Sequence, residues 1–568
     1  MPRLRIRHVV LWFGMLCLVV FGLTQLAAVM PATQGKKGVV ATDHKLASKV
    51  GVEILKKGGN AVDAVCAAAF SLSVVNPAGS GIGGGGFMLI KRAKEKDARV
   101  IDFRETAPAK AHRAMYLKKG LSKYASRAGG LAVGIPGEVR GCAEAVKRYG
   151  KLTLKQVLAP SIRLAKNGFP TDHHLHKGLK RYHKLLKRYP GLYKVFYPGG
   201  KPLALGQILK RPRLAKTFEA IAKDGPKAFY EGWIAKDIVE TVKKTGGILT
   251  MADLKNYKIK ERKPLSVTYR GHKVYTMPPP SSGGVAIIQA LNILRHKKLR
   301  KMGHNSSGYL HFLSEALQHA FSDRARFLGD TDFVKVPIKR LTSQAYADTL
   351  YKRIKDHVSP SHTYGTQKKK PRAPNRDGGT SHLSVVDQFG NMVAMTSTIN
   401  TGFGSKVFTP KSGIVLNNEM DDFSTKPGKP NAFGLLQSKF NEIAPGKRPL
   451  SSMSPTIVTK AGKGVLAVGG SGGPTIITGT LQVMLNVLDF GLELNDAVSR
   501  SRIHHQWFPG MLFVESDLPK DVMENLKKRK HKLRVFRVPF TAVQAVQAKK
   551  GTLYGASDPR KKGIPAGY

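Results

Sequence analysis

Hydrophobic and polar residues alternate over two neighbouring stretches in the second half of this chain. The first stretch contains Val385, and the second contains Val393 and Met395, each set among polar neighbours. A repeat close to two residues is typical of β-strands, and the Gly390-Asn391 pair between the stretches is typical of a hairpin turn. The pattern therefore predicts two antiparallel strands joined at this turn.

Other patterns predict helices and further strands around that hairpin. Residues 61–75 are rich in Ala and Val and apolar on nearly every side, which predicts a fully buried helix. The segment from about Leu131 to Lys255 has a mostly helical pattern. Further helices are predicted at 285–294, 307–327 and 474–488, and strands at 87–91, 99–103 and, as a pair, 266–277.

The composition is that of a globular protein with an unusually basic surface. The chain has 568 residues, of which 42% are hydrophobic and 23% charged, which excludes a wholly disordered protein. Its formal net charge of +57 is spread over several runs, including Lys177 to Arg188 and Lys527 to Lys530. A dispersed excess indicates a general surface bias rather than a nucleic-acid reading element. Attraction to polyanions or anionic membrane surfaces is still expected at low salt.

The first 34 residues have the pattern of an export signal. Arg3, Arg5 and Arg7 precede an apolar run from Val9 to about Phe21. We therefore expect a periplasmic or secreted protein, or a membrane-anchored one if the segment is retained. The cysteines beyond this segment, Cys66 and Cys142, are expected to be buried in helices and not to form a disulfide framework.

The candidate nucleophile is Thr380, which follows two glycines at the start of the first hairpin strand. A cut before Thr380 would give one residue both a hydroxyl and an α-amine with a pKa of about 8, able to accept the hydroxyl proton. The stretch 359–379 holds three prolines, a lysine run and no apolar cluster, which predicts a flexible linker. Thr380 would then attack the carbonyl of Gly379, and the resulting ester would be hydrolysed. On this stretch alone, a glycine turn entering an ordinary strand is the alternative.

Two motifs before the hairpin are candidates for ligand binding. The glycine-rich segment 76–86 resembles a phosphate loop, but a helix precedes it and a strand follows, the reverse of the order such a loop needs. We interpret it as a place of close backbone packing beside a site. Arg104 stands at a strand end, placed to bind a carboxylate with its planar fork, and the alternative is a surface ion pair with Glu105.

Polar motifs also follow the hairpin turn. Thr396, Thr398 and Asn400 share one face of the second strand by alternation. Asn417 to Phe423 concentrates acidic residues in a chain that has few, and it is suited to an ammonium group or a cation. The glycine-rich segment from Gly469 to Thr475 opens a helix, and free backbone N–H groups at such a point would make an oxyanion hole.

Taken in order, these motifs resemble the γ-glutamyltransferase family, also called glutathione hydrolase, from about Val39 to Tyr568. The resemblance rests on the following segments: 102–105, the glycine loop, 280–284, 379–382, 417–423, 451–452 and 472–473. It implies an α+β fold, the αββα sandwich of N-terminal nucleophile hydrolases. It also implies that a precursor cuts itself between Gly379 and Thr380 into a large subunit, 35–379, and a small catalytic subunit, 380–568, which stay together.

The resemblance also implies a role for each site residue. Thr380 is the nucleophile of both self-cleavage and catalysis, and Thr398 orients its hydroxyl. The other implied roles are α-carboxylate binding by Arg104, Ser451 and Ser452, α-amine binding by Asn400, Glu419 and Asp422, and oxyanion binding by Gly472 and Gly473. The implied donors are glutathione and related γ-glutamyl compounds, and the acceptors are water or the amine of an amino acid or dipeptide. No metal or cofactor is required.

Two departures from the family pattern and two alternatives remain at this point. Phe433 stands where some bacterial relatives carry a tyrosine gate, within a possible lid at 426–448, and Pro474 adjoins the oxyanion glycines. A cephalosporin or glutaryl acylase of the same fold is the nearest alternative enzyme. It is disfavoured because Arg104, Glu419 and Asp422 together suit a free amino acid head. A catalytically silent protein that binds polyanions is the alternative from another class.

Overall fold

The computed structural model describes residues 31–360, 364, 379–425, 430–536 and 541–568. The expected export signal therefore lies almost wholly outside the described residues, as do most of the expected linker and part of the possible lid. Among the described residues, no helix has the length and apolar character needed to cross a membrane.

Two seven-stranded antiparallel sheets dominate the described part of the chain. One has the strand order β1-β18-β17-β13-β12-β9-β8 and the other β19-β2-β10-β11-β3-β4-β7. The strands are β1 Thr33–Gly35, β2 Gly38–Thr42, β3 Gly85–Lys91, β4 Arg99–Phe103, β5 Phe169–Pro170, β6 Ile208–Leu209, β7 Lys260–Arg262, β8 Leu265–Tyr269, β9 His272–Thr276, β10 Gly379–Asp387, β11 Met392–Asn400, β12 Thr456–Lys460, β13 Lys463–Ser471, β14 Ile503–His504, β15 Leu512–Glu515, β16 Leu533–Phe536, β17 Ala542–Lys549, β18 Thr552–Ser557 and β19 Ala566–Gly567.

Helices form the remaining regular structure. They are α1 Lys45–Lys56, α2 Ala61–Val75, α3 Glu138–Tyr149, α4 Leu154–Asn167, α5 His173–Leu186, α6 Pro190–Phe196, α7 Pro212–Asp224, α8 Pro226–Tyr230, α9 Trp233–Lys244, α10 Met251–Lys255, α11 Gly283–Leu294, α12 Leu299–Met302, α13 Ser307–Phe327, α14 Ile338–Leu341, α15 Gln344–Tyr351, α16 Thr475–Leu488, α17 Leu494–Ser499 and α18 Lys520–Lys528. The predicted bounds of the helices at 61–75 and 307–327 match these elements residue for residue.

The two sheets lie face to face, with a helical layer on each outer face. Side chains from both sheets, such as Leu89 of β3 and Ile457 of β12, share one buried cluster. Alternate residues of the same strands point outward, where Ile90 joins the core formed with α2 and Val458 joins the core formed with α11, α13 and α16. The expected αββα sandwich is therefore confirmed.

The predicted hairpin is the pair β10 and β11 at the centre of one sheet. Its register sets Thr380 opposite Thr398 and Val385 opposite Val393. Gly390 has a φ of +80°, a conformation open to glycine, and it donates its N–H to the carbonyl of Asp387 at 3.0 Å. Both strands are buried along their whole length. The alternation of hydrophobic and polar residues therefore distinguishes the two faces of each strand, and both faces are covered by other parts of the fold.

The glycine-rich segment packs its backbone against β11, as expected. A Cβ atom added at Gly84 would lie 1.9 Å from the carbonyl oxygen of Thr398, and one at Gly86 would lie 2.0 Å from that of Thr396. Such distances leave no room for any side chain. The glycines thus let β3 and its preceding loop approach the strand that carries Thr398.

We expect Gly84→Ala to lower the free energy of unfolding by roughly 3 kcal/mol, because the added carbon meets the backbone of β11. Gly178→Ala is the matched control. Gly178 lies inside α5 with nothing within 4 Å of an added Cβ, so the helix should gain about 0.5–1 kcal/mol. Urea denaturation of both purified variants measures the two shifts. Equal shifts would contradict the proposed role of the close packing.

Candidate active site

A chain of hydroxyl hydrogen bonds joins β10 to β11 at Thr380. Asn400 N–H donates to Thr398 Oγ at 2.8 Å, and the Thr398 hydroxyl donates to the carbonyl oxygen of Gly379, also at 2.8 Å. Thr380 Oγ lies 2.9 Å from Thr398 Oγ. Because Thr398 has already used its only proton, Thr380 is the donor of this bond. The hydroxyl of Thr398 thus links the Thr380 hydroxyl to the carbonyl that precedes it.

The backbone at this point is constrained. The register of β10 against β11 shifts between Gly379 and Thr380, and Asn400 has a φ of +75°. A Cβ atom at Gly379 would lie 2.4 Å from the carbonyl oxygen of Thr401, so glycine is required there. Asparagine tolerates the left-handed region better than most residues do.

Arg104 lies in a buried cluster of acids. It does pair with Glu105, at 3.7 Å from Nη1 to Oε2, but both side chains are buried, so the expected surface location of this ion pair is wrong. Its side chain is 1% exposed, and it directs Nη1 to Glu419 and Nη2 to Asp422 at 2.7 Å. Its Nε donates to the carbonyl oxygen of Pro449 at 3.3 Å. Burial raises the pKa of both Glu419 and Asp422, and the Arg104 charge opposes that rise.

Backbone and amide contacts fix the acidic segment in place. Asn417 donates through Nδ2 to the carbonyl oxygens of Gly83 and Gly134, both at 2.8 Å, and its Oδ1 accepts from the N–H of Glu419 at 3.0 Å. The glycine-rich loop therefore also anchors the turn that carries the acids. Asp421 instead accepts from Arg127 Nε at 3.3 Å, outside the cluster around Arg104.

The loop containing Ser451 and Ser452 rests on the segment before α11. Ser282 donates both its N–H, at 2.8 Å, and its hydroxyl, at 2.6 Å, to the carbonyl oxygen of Ser451. Ser281 donates its hydroxyl to the carbonyl oxygen of Met453 at 2.5 Å. The Ser-Ser-Gly-Gly motif at 281–284 thus supports this loop.

Gly472 and Gly473 form the turn between β13 and α16. Their φ angles are +140° and +62°, in the region that favours glycine. Among the described residues, no acceptor takes up the N–H of either glycine. The ring of Phe433 packs on Gly473, where an added Cβ would lie 2.6 Å from Phe433 Cδ1, so Phe433 covers this turn.

One cavity brings most of the predicted site residues together. The space inside it that is free of protein atoms is about 330 Å³, including open solvent at its mouth. Gly472 adjoins the cavity and Gly473 lines it. The predicted residues in its wall are Arg104, Thr380, Thr398, Asn400, Glu419, Asp422, Phe433, Ser451, Ser452, Gly473 and Pro474. Leu435, Leu450, Met453 and Ile476 add apolar surface.

Sequence reasoning missed two cations at the site. Arg324 of α13 lines the cavity although it lies in a helix with no local motif. Lys561 donates through Nζ to the carbonyl oxygen of Thr380 at 2.5 Å and to Asp43 Oδ2 at 2.8 Å. Neither residue stands out in so basic a chain, because only the tertiary fold brings them to Thr380.

The chain is similar to known proteins in both sequence and structure. A family model described as gamma-glutamyltranspeptidase matches residues 47–568. A glutathione hydrolase proenzyme of Escherichia coli (strain K12) is 44% identical over 547 residues, covering 94% of this chain and 92% of the relative. A cephalosporin acylase structure from Bacillus halodurans has a TM-score of 0.84 at 30% identity and covers 94% of this chain and 97% of that one. A Helicobacter pylori gamma-glutamyltranspeptidase structure has a TM-score of 0.55 at 40% identity, covering 56% of this chain and 92% of that one.

The sandwich and its structural neighbours define the class of protein as an N-terminal nucleophile hydrolase. Within that class, the chain belongs to the gamma-glutamyltranspeptidase family. The resemblance stated from the motifs is confirmed.

Behind the hydroxyl pair, Glu138 of α3 is fully buried and accepts a hydrogen bond from the Ser397 hydroxyl. Burial raises the pKa of Glu138 to about 8, so the folded protein holds a proton there that the unfolded chain releases near 4.5. Between these values the folded state binds more protons than the unfolded state. Stability from this group therefore falls as pH rises from about 4.5 to about 8.

We expect Glu138→Gln to remove the loss of stability that Glu138 causes as pH rises, which is on the order of 1 kcal/mol per pH unit. The variant should gain stability relative to the wild type as pH increases from 5 to 8. Urea midpoints measured across this range test the expectation. Glu144→Gln, a partly exposed position on the same helix, is the control and should leave the pH slope unchanged. If the urea midpoints of Glu138→Gln and of the wild type change with pH in parallel, the raised pKa of Glu138 is contradicted.

Proposed function

We propose that this protein is a self-processing γ-glutamyltransferase and glutathione hydrolase. The observation that carries the proposal is the Thr380–Thr398–Gly379 hydrogen-bond chain at the edge of a cavity that also holds a buried arginine and two acids. Such a cavity suits a zwitterionic amino acid head whose acyl carbon meets Thr380. The family and its glutathione hydrolase relatives support the same assignment.

Self-cleavage begins with attack of Thr380 Oγ on the carbonyl carbon of Gly379. The Thr380 proton passes to Thr398 Oγ while the Thr398 proton moves to the carbonyl oxygen, in line with their hydrogen bonds. Collapse of the tetrahedral intermediate breaks the C–N bond, and the Thr380 nitrogen takes a proton. Water then hydrolyses the ester, which leaves a carboxylate on Gly379 and a free α-amine on Thr380. The products are the large subunit, 35–379, and the small subunit, 380–568.

After self-cleavage, the same Thr380 hydroxyl attacks the carbonyl carbon of a bound substrate. The Thr380 α-amine accepts the hydroxyl proton, and Oγ attacks the γ-carbonyl of the donor. The N–H groups of Gly472 and Gly473 stabilise the oxyanion, which suits their lack of another acceptor in the described chain. The γ-glutamyl ester on Thr380 then passes to water, or to the amine of an amino acid or dipeptide. None of these steps requires a metal or a cofactor.

The cavity wall has groups for both charges of the γ-glutamyl head. Arg104, Ser451 and Ser452 serve the α-carboxylate. Asn400, Glu419 and Asp422 serve the α-amine. These residues line one cavity with Thr380, which supports binding of the head at a fixed distance from the nucleophile.

We further propose that the protein is exported through its first 34 residues and is periplasmic or secreted, or anchored where the segment is retained. Its net charge of +57 supports non-specific attraction to polyanions and anionic membrane surfaces. This attraction would weaken as salt is added, because screening acts on exposed charges.

An acylase of the same fold is the second candidate, since the cephalosporin acylase structure covers nearly the whole chain. A glutaryl group has a carboxylate but no amine. The buried acids Glu419 and Asp422 would then face no ammonium, which disfavours this candidate.

We expect Thr380→Ala to remain a single chain without activity, because the variant has no hydroxyl to attack Gly379. Thr380→Ser, which keeps the hydroxyl, should still cleave itself. A denaturing gel with sequencing of the first residues of each band measures both outcomes. Thr380 should begin the smaller band, and the first residue of the larger band tells whether the export signal is removed. Two fragments from Thr380→Ala would refute self-cleavage by this residue.

We expect the wild-type protein to hydrolyse a γ-glutamyl anilide with a kcat/KM about 100-fold or more above that for the glutaryl anilide, because only the former offers an ammonium to the buried acids. Asp422→Asn removes one of those charges with little change in shape. It should lower the ratio of kcat/KM for the γ-glutamyl anilide to kcat/KM for the glutaryl anilide. A preference for the glutaryl substrate would instead support the acylase.

A further inference from the structure

The carbonyl oxygen of Thr380 accepts a hydrogen bond from a side chain that the proposed reaction does not use. Lys561 donates through Nζ to this oxygen at 2.5 Å and to Asp43 Oδ2 at 2.8 Å. The Lys561 side chain is 14% exposed and that of Asp43 is 1% exposed, so both contacts are largely shielded from solvent. A charge-assisted hydrogen bond in such surroundings is stronger than the same bond in water. Lys561 therefore restrains the backbone of the nucleophile itself.

The end of strand β2 explains why a side chain is needed at this point. Strand β2 pairs with β10 over residues 383–387, and its last residue, Thr42, lies opposite Leu383. The start of β10, with Thr380, extends past the end of β2. A buried carbonyl group at such a place has to find a donor outside the strand ladder. Lys561 supplies that donor, and Asp43, the residue directly after β2, binds the same ammonium group.

A well-anchored turn near the C-terminus carries Lys561. The N–H of Lys561 donates to the carbonyl oxygen of Asp558 at 3.2 Å. The Asp558 carboxylate accepts from Arg502 Nη2 at 2.7 Å and from Arg560 Nη1 at 3.0 Å, and all three side chains are buried. A Cβ atom added at Gly563 would lie 2.3 Å from the carbonyl oxygen of the last residue of β2, so the turn packs directly on the end of that strand. The backbone that presents the ammonium group is therefore fixed.

The acid that pairs with Lys561 is fixed from the opposite sheet. Asp43 Oδ1 accepts from Gln544 Nε2 at 2.7 Å, and Gln544 belongs to β17. Strand β17 lies in the sheet that faces the one containing β10. Both partners of the ion pair are thus held before they meet, which keeps the ammonium group at a defined position beside Thr380.

Self-cleavage changes what holds Thr380. In the uncut chain, peptide bonds tether this residue on both sides. After the cut it becomes a chain end, and chain ends are poorly ordered unless other contacts tie them down. Its side chain keeps the hydrogen bond with Thr398, and its carbonyl group keeps the one from Lys561. The second contact restrains the backbone from which the new α-amine projects.

We propose that Lys561 is a positioning residue that holds the new N-terminal Thr380 through its carbonyl oxygen, so that the α-amine and the hydroxyl stay aligned during acyl transfer. Lys561 is not one of the described residues that line the cavity, so it acts through Thr380 and not on the donor. This inference rests on the proposed γ-glutamyl activity and adds to it a residue that matters mainly after self-cleavage.

Lys561→Met tests the inference through three measurements on the full chain. The kcat for a γ-glutamyl anilide should fall by about 10- to 100-fold, because a small misplacement of a reacting group has an effect of that size. KM and inhibition by L-glutamate should change by less than about threefold, because the groups that bind the donor are untouched. Self-cleavage, followed on denaturing gels after cell-free synthesis, should slow by less than about threefold, because the peptide bond to Gly379 still tethers Thr380.

Three further variants separate positioning from charge and from folding. Lys562→Met removes the same charge from an exposed neighbour and should change kcat by no more than about twofold. Lys561→Arg keeps a cation that reaches both oxygens and should recover most of the lost kcat. Asp43→Asn removes the acid that holds Lys561 and should lower kcat by about threefold or more without raising KM. It decides the question if Lys561→Met does not cleave itself into two subunits.

The outcomes distinguish this inference from the proposed function. An unchanged kcat in the cleaved Lys561→Met protein overturns the inference. Equal slowing of self-cleavage and of turnover also overturns it, since a general disturbance of the site would affect both. A similar loss in Lys562→Met would assign the effect to net charge and would overturn it as well. If the wild type hydrolyses no γ-glutamyl compound, the proposed function itself fails, whatever the variants show.

Discussion

The hydroxyl–hydroxyl hydrogen bond between Thr380 and Thr398 is the interaction on which the architecture of the site depends. It exists because β10 and β11 pair in one register at the centre of a sheet, and a slip of one residue would turn Thr398 to the opposite face. Gly84 and Gly86 let the backbone of β3 and its preceding loop press against β11. The same loop holds the acidic turn through Asn417. A single region of backbone contact therefore places both the nucleophile and the charges around it.

The second constraint is electrostatic. Acids are scarce in this chain, at 37 against 94 lysines and arginines, yet many of them are buried. They pair with buried arginines, as Asp558 pairs with Arg502 and as Glu419 and Asp422 pair with Arg104. Few acids consequently remain on the surface to offset the charge of the lysines, which accounts in part for its basic character. Inside the cavity, low dielectric strengthens each charge contact.

Much of the fold and of the site follows from local sequence. The apolar run that predicted helix α2 agrees with the structure in its bounds, and the alternation of hydrophobic and polar residues located the β10–β11 hairpin. The roles of Arg104, Glu419 and Asp422 came from a family resemblance, and their convergence in one cavity agrees with it. The mutual pairing of Arg104 with those acids was not foreseen, because it joins the end of β4 to a turn more than three hundred residues later.

The class of fold was implied by the family resemblance, whereas the sequence by itself determined many of the elements and the position of a threonine placed to act as nucleophile. It could do so because strand alternation, helix periodicity and glycine turns are short-range properties of the chain. Only the tertiary structure decided which side chains surround that threonine. Arg324 and Lys561 reach the site from a helix and from the C-terminal segment, and their contacts arise from packing between distant elements, which leaves no local pattern in the sequence.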